Sequence, residues 1–158
     1  MPKITPFLWF DNQAEEAATL YTSLYPDSSI TNVQRYGPGG PVPEGTVMTV
    51  EFSLDGQTFT ALNGGPAHFT FNDSVSFAVN CADQAEVDRY WDTLTADGGE
   101  PGQCGWLKDK FGLSWQIVPA ALPTLLADPD PAAAGRVMQA MLAMKKIDIK
   151  TLEDARNG

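Results

Sequence analysis

The chain has 158 residues, 43% of them hydrophobic, enough for one domain with a sizeable core. Its net charge of −10, from 20 acidic and 10 basic side chains, argues against nucleic acid and anionic membranes as partners, since both demand a basic surface. No apolar run approaches a membrane span, and Met1-Pro-Lys-Ile-Thr-Pro6 carries no basic-then-apolar leader, so a cytoplasmic location is expected.

Ile4 to Phe10 reads as an apolar strand. Asp11 or Asn12 is placed to cap a helix over Gln13 to Leu24, where Ala14, Ala17, Ala18, Tyr21 and Leu24 recur at helical spacing. Ile30 to Tyr36 is a second strand, and the glycine- and proline-rich stretch 37–45 is a loop. Thr46 to Leu54 alternates, with Met48, Val50, Phe52 and Leu54 on one face and Thr49, Glu51 and Ser53 on the other. Asp55-Gly56 then turns the chain into Gln57 to Leu62. An irregular segment, Ala67 to Asp73, follows the break at Asn63-Gly-Gly-Pro66.

The pattern then restarts. Val75 to Cys81 is a strand, Asp83 caps a helix over Gln84 to Ala96, and a hairpin spans Cys104 to Pro119. Asn12-Gln-Ala-Glu-Glu16 recurs as Asp83-Gln-Ala-Glu-Val87, 71 positions later. The expected organisation is therefore a duplicated strand–helix–strand–strand–strand module: one at about 1–66, the second at about 67–119, and a helical tail at about 120–158, in a single domain. Duplicated modules of this size usually pair around a cleft suited to a ligand. In the tail a short helix is predicted at Leu122 to Ala127. A longer one at Ala132 to Met144 has Asp130 as cap and Pro131 at its first position, with Val137, Met138, Met141 and Leu142 on one side. A last turn is predicted near Leu152 to Arg156.

In the hairpin, Trp106 and Leu107 close one strand, Lys108 to Gly112 turn, and Leu113 to Val118 return. Leu113, Trp115 and Ile117 form the core face, and Ser114, Gln116 and Val118 the other. Gln116 in the middle of that second face marks it as wet or pocket-lining. Cys81 and Cys104 lie in no CxxC and are expected as reduced thiols, Cys81 buried and Cys104 more exposed. The single histidine, His68, has no acidic residue close in sequence to orient it.

Pro6-Phe-Leu-Trp-Phe-Asp11, Ala14-Glu-Glu-Ala17, Leu62-Asn-Gly-Gly-Pro66, Ser76-Phe-Ala-Val79 and Gly105-Trp-Leu-Lys-Asp-Lys-Phe-Gly-Leu-Ser-Trp-Gln-Ile-Val-Pro119 together resemble one family. So does the tail piece Val137-Met-Gln-Ala-Met-Leu-Ala-Met-Lys-Lys-Ile-Asp148. The chain is similar to the vicinal oxygen chelate superfamily of glyoxalase I, bleomycin-resistance proteins and extradiol dioxygenases, and within it to the PhnB-like, or 3-demethylubiquinone-9 3-methyltransferase, family.

The resemblance implies an α+β fold of paired βαβββ modules and a homodimer. It also implies one divalent ion in catalytic members, held by His, Gln and Glu side chains. Carried over, those ligand slots fall at Thr5 or Pro6, at Ser76 and at Gln116, with Thr60 and Leu62 in the fourth strand. Gln116 is the one good donor among them, and Glu51 beside it makes a poor set, so no metal and no other cofactor is expected. The expected ligand pocket comprises Gln116, Ser76, Thr60 and Glu51 as polar groups, with Trp9 and Trp106 either as its wall or in the core. Its ligand is an unidentified small molecule, of aromatic type by analogy with bleomycin-resistance relatives. The alternative is an enzyme of the same superfamily (lyase, isomerase, dioxygenase-like, or the methyltransferase of the family label).

Overall fold

Helix stripes and strand alternation divide the described residues, 2–158 in the computed structural model, into five helices and eight strands. They fall into two compact units, one ending at Phe69 and one spanning Thr70–Gly158.

The first unit contains β1 (Phe7–Phe10), α1 (Ala14–Leu24), β2 (Ser29–Arg35), β3 (Val47–Leu54) and β4 (Gln57–Asn63). The sheet order is β1-β4-β3-β2, with β1 parallel to β4 and the remaining pairs antiparallel. Leu8, Phe10, Val50, Phe52, Phe59 and Ala61 are buried together with the stripe Ala14, Ala17, Ala18, Tyr21 and Leu24 of α1. Three alanines on that stripe let the helix lie close to the sheet, while Tyr21 fills the gap to Phe52, with ring centroids 6.2 Å apart. Phe52 and Phe59 are cross-strand partners whose rings stack at 5.4 Å, a pairing that adds to the burial of each ring. The two-residue β3–β4 turn has left-handed backbone at both Asp55 and Gly56, as the Asp-Gly pair predicts.

Two expectations fail here. The first strand starts at Phe7 rather than Ile4, which is 84% exposed; apolar character alone does not make a strand without a ladder partner. Neither Asp11 nor Asn12 caps α1. Its Ala14 N–H instead donates to Asn63 Oδ1, 2.9 Å away at the end of β4. Asn63 Nδ2 also donates to Val47 O, so one side chain ties helix start, β3 and β4 together.

The second unit repeats the plan with β5 (Ser76–Cys81), α2 (Gln84–Thr95), β6 (Glu100–Pro101), β7 (Trp106–Lys108) and β8 (Ser114–Pro119) in the order β5-β8-β7-β6. Asp83 caps α2 by accepting from Glu86 N, as expected. Val87, Tyr90, Trp91 and Leu94 of α2 are buried with Leu107, Leu113, Trp115 and Ile117. The duplicated module calls for one strand between α2 and the hairpin, and β6 supplies it; its place could not be read from sequence, since two residues carry no readable alternation.

The tail continues this unit with α3 (Ala121–Leu126), α4 (Pro131–Leu142) and α5 (Ile149–Asn157). Leu122, Val137, Ile147 and Leu152 form its core, against which Val118 of β8 packs. Asp130 caps α4 with Pro131 in the first turn, as predicted. The expected stripe of α4 is corrected: Ala133 and Val137 are buried, whereas Met138 and Leu142 are 42% and 59% exposed. The expected last turn is a full nine-residue helix capped by Asp148.

Candidate functional site

In the second sheet, α2 covers the face bearing Leu107, Trp115 and Ile117. The opposite face carries what alternation sends there. Trp106 pairs directly with Gln116, Gln116 with Ala78, and Ser76 with Ser114. Parallel β5–β8 pairing puts Ser76 two residues from Gln116 along the same face, and Gln116 Nε2 donates to Ser76 Oγ at 3.0 Å. Two residues named from sequence forty positions apart thus meet in one hydrogen bond, beside the half-buried indole of Trp106.

Next to this pair lies a cleft of about 90 Å³, lined by Asp73, Glu100, Trp106, Lys108 and Ser114 among others. Ser114 is 1% exposed and its hydroxyl donates to Asp73 Oδ1 at 3.0 Å. Lys108 Nζ lies 3.5 Å from the same oxygen. Lys108 was expected in the turn. It is the last residue of β7, paired with Glu100 on one side and Ser114 on the other, which turns its side chain to the face of Trp106. Of this group the sequence reading named only Trp106 as a site residue. Ser114 was legible as a neighbour of Gln116 by alternation, but Asp73 sits in an irregular segment and Glu100 in a two-residue strand.

In the first unit, Glu51 and Thr60 are cross-strand partners on the face away from α1, with Thr60 paired to Phe7 and Leu62 to Trp9. Thr60 is 5% exposed and Glu51 is exposed. Trp9 is 40% exposed and held by an Nε1 bond to Gly65 O at 3.0 Å and an edge contact with Phe69 at 5.4 Å. Its ring lies so close to Gly64 that a Cβ there would meet it at 2.3 Å, which explains the first glycine of the Asn-Gly-Gly motif, while the second, Gly65, takes a left-handed φ of 83°. The expected site residues therefore form two groups, each on its own sheet: Trp9, Glu51 and Thr60 in the first unit, and Ser76, Trp106 and Gln116 in the second.

The donor set for a divalent ion is thin. Among the described residues no three His, Cys, Asp or Glu side chains are grouped to hold a metal. Thr5 and Pro6 precede β1, and the Pro6 carbonyl is engaged by Thr60 N–H. His68 is exposed outside any strand. A lone amide with a hydroxyl does not meet the ligand requirement of a divalent site, so the residues present do not fit that group.

The hairpin turn has its own organiser. Asp109 is 2% exposed; its Oδ1 accepts from Phe111 N and Leu113 N, and its Oδ2 from Trp115 Nε1 at 2.9 Å. The most recognisable part of the sequence, Trp-Leu-Lys-Asp-Lys-Phe-Gly-Leu-Ser-Trp-Gln, is thus largely turn architecture that presents Gln116. Cys81, buried at the end of β5, has its thiol pushed up to about 12 by burial and by Glu86 and Asp83, which leaves it inert at neutral pH.

Residues 2–118 match the family model described as 3-demethylubiquinone-9 3-methyltransferase. Among solved structures, the chain is 38% identical to a putative 3-demethylubiquinone-9 3-methyltransferase, PhnB protein, from Bacillus cereus, covering 75% of this chain and 100% of that one with a TM-score of 0.70. It is 20% identical to protein PA1353 from Pseudomonas aeruginosa, covering 75% and 98% of the two chains with a TM-score of 0.60. It is 13% identical to the fosfomycin resistance protein FosX from Mesorhizobium loti, covering 81% and 100% with a TM-score of 0.54; these last two similarities concern the fold. No curated protein matches the sequence. With two four-stranded βαβββ sheets, the motif at Gly105–Pro119 and a family match over most of its length, the chain belongs to the 3-demethylubiquinone-9 3-methyltransferase (PhnB-like) family.

Proposed function

We infer that the protein binds a small aromatic molecule without a metal, on the face of the second sheet that α2 leaves uncovered. The observation that carries this reading is the 3.0 Å bond between Gln116 and Ser76 beside Trp106. Gln116 keeps its carbonyl oxygen and second N–H, and Ser76 keeps its hydroxyl proton, so the pair can both donate to and accept from a planar polar ligand lying against the indole. Neither residue brings the anionic charge that a divalent ion needs. In the first unit, Glu51, Thr60 and Trp9 offer a second polar and aromatic set on their own sheet.

Methyl transfer does not come over with the family description. A nucleoside-type methyl donor is usually cradled by a glycine-rich turn after the first strand of a parallel sheet. Here Asp11-Asn12-Gln13 follows β1, and both sheets are mixed. A cytoplasmic homodimer completes the reading, and sedimentation giving a monomer at micromolar concentration would refute that assembly.

The test of binding is a thermal-shift and tryptophan-fluorescence screen of aromatic small molecules against the native protein and Gln116→Ala. A hit whose affinity falls about tenfold in Gln116→Ala, equivalent to about 1.4 kcal/mol, supports the reading. A melting temperature that rises with Zn²⁺, Ni²⁺ or Mn²⁺, falls with chelator, and loses both responses in Gln116→Ala would overturn metal independence.

A further inference from the structure

The cleft beside Gln116 has a charge pattern that the superfamily resemblance does not supply. Three charged side chains line it: Asp73, Glu100 and Lys108. Lys108 and the hydroxyl of Ser114 both address Oδ1 of Asp73, so Asp73 is fixed in place while its Oδ2 takes neither contact. Glu100 sits directly across the β6–β7 ladder from Lys108. Yet the Lys108 ammonium is within ion-pair distance of Asp73, and among the described residues Glu100 has no cation at that distance. The lining therefore carries one net negative charge. Its apolar part comes from Pro101, Trp106 and Leu107; of these only Trp106 has an aromatic ring, whose face attracts cations.

Building on the binding reading above, the geometry points to an organic cation as the ligand class: an aromatic ring carrying an ammonium group. The ring lies against Trp106, within reach of Gln116 and Ser76, and the ammonium faces Glu100 and the second oxygen of Asp73. An anionic ligand would meet two carboxylates and find Lys108 already engaged. A neutral one would gain the stacking without the charge.

Three probes of nearly equal shape separate these cases: 2-phenylethylammonium, 2-phenylethanol and phenylacetate, titrated at pH 7 and low salt by calorimetry. The expected order is ammonium tightest, about tenfold over the alcohol, with the carboxylate weakest. Glu100→Gln is expected to remove most of the ammonium's advantage while leaving the alcohol unchanged, and Lys108→Met to increase that advantage. Glu15→Gln, an exposed carboxylate on α1, controls for the net acidic charge of the protein and is expected to change nothing.

Equal affinity for ammonium and alcohol, or equal losses in Glu100→Gln and Glu15→Gln, would overturn the cation assignment. If the alcohol binds and Gln116→Ala weakens it in either of those cases, the binding face survives and only the ligand class falls. If none of the three probes binds at millimolar concentration, the cation assignment falls; the binding face falls as well only if the aromatic screen also finds no ligand. Tighter binding of phenylacetate, abolished in Lys108→Met, would reverse the assigned charge.

Discussion

Asp109 is a buried carboxylate whose two oxygens accept three donors from its own hairpin. Removing it leaves two backbone N–H groups and an indole N–H without their acceptor inside the fold. Asp109→Ala should therefore cost about 3 kcal/mol, at the upper end for loss of charge-assisted bonds, read as a lower urea midpoint. Asp109→Asn, which keeps an acceptor, should cost less. Two other residues make stability depend on pH on the alkaline side. The Cys81 thiol is raised from 9.0 to about 12, first by burial, and the Tyr90 hydroxyl from 10.0 to about 12, by burial and by its bond to Glu86. In both the unfolded chain gives up its proton first, so their contribution to stability is whole below about pH 9 and is lost as pH rises toward 12. Urea unfolding in steps across that window should show falling stability, and Cys81→Ser together with Tyr90→Phe should flatten the fall. Only Cys104 should react with iodoacetamide in the folded protein at pH 8.

At the scale of elements, α1 begins where a distant side chain lets it. Asn63→Ala removes the acceptor for Ala14 N–H and the bond to Val47 O, and should cost about 1–2 kcal/mol, as for loss of a helix cap. Faster hydrogen exchange confined to the first turn of α1 and the start of β3 would check the assignment. The tail is held by a comparable device. Gln84 donates to Ile147 O and accepts from Ile149 N, while Lys146 reaches Asp88 and Asp92 at 3.3 and 3.1 Å. Burial opposes the charge of Lys146, but its bonds to the two aspartates win and raise its pKa. These ion pairs are partly exposed and contribute little. Gln84→Ala should thus loosen the stretch 144–149 to proteolysis far more than Lys146→Ala does; the reverse order would show that charge holds the tail.

For the molecule as a whole, the family match ends at residue 118 and the tail lies beyond it. Yet the tail completes the second unit. Cys104 N–H and Gly105 N–H donate to Met144 O and Lys145 O, and Ile147 presses on Gly105, where an added Cβ would meet it at 3.1 Å. Deleting residues 120–158 should therefore abolish exchange protection around Cys104, Gly105 and α2. Protection should persist in α1 and β3, whose core belongs to the first unit. Uniform loss over both units would show that the tail supports the entire chain. No helix among the described residues is long and apolar enough to cross a membrane.

Local patterns in the sequence were enough to locate most elements: the alternation of Val47–Leu54, the Asp55-Gly56 turn, the α2 cap at Asp83, and the repeat that announces two modules. They also marked Gln116, because a polar residue amid apolar alternation stands out along the chain, whereas Ser76 was reached through the family resemblance, as a carried-over ligand slot. Tertiary structure alone decided what these residues meet. The Asn63 cap of α1, the Asp109 turn, and the Asp73–Lys108–Ser114 cluster beside Glu100 all join side chains through strand register or loop geometry. No periodicity records such contacts. Alternation says which face a residue takes, while pairing between strands decides which neighbour shares it.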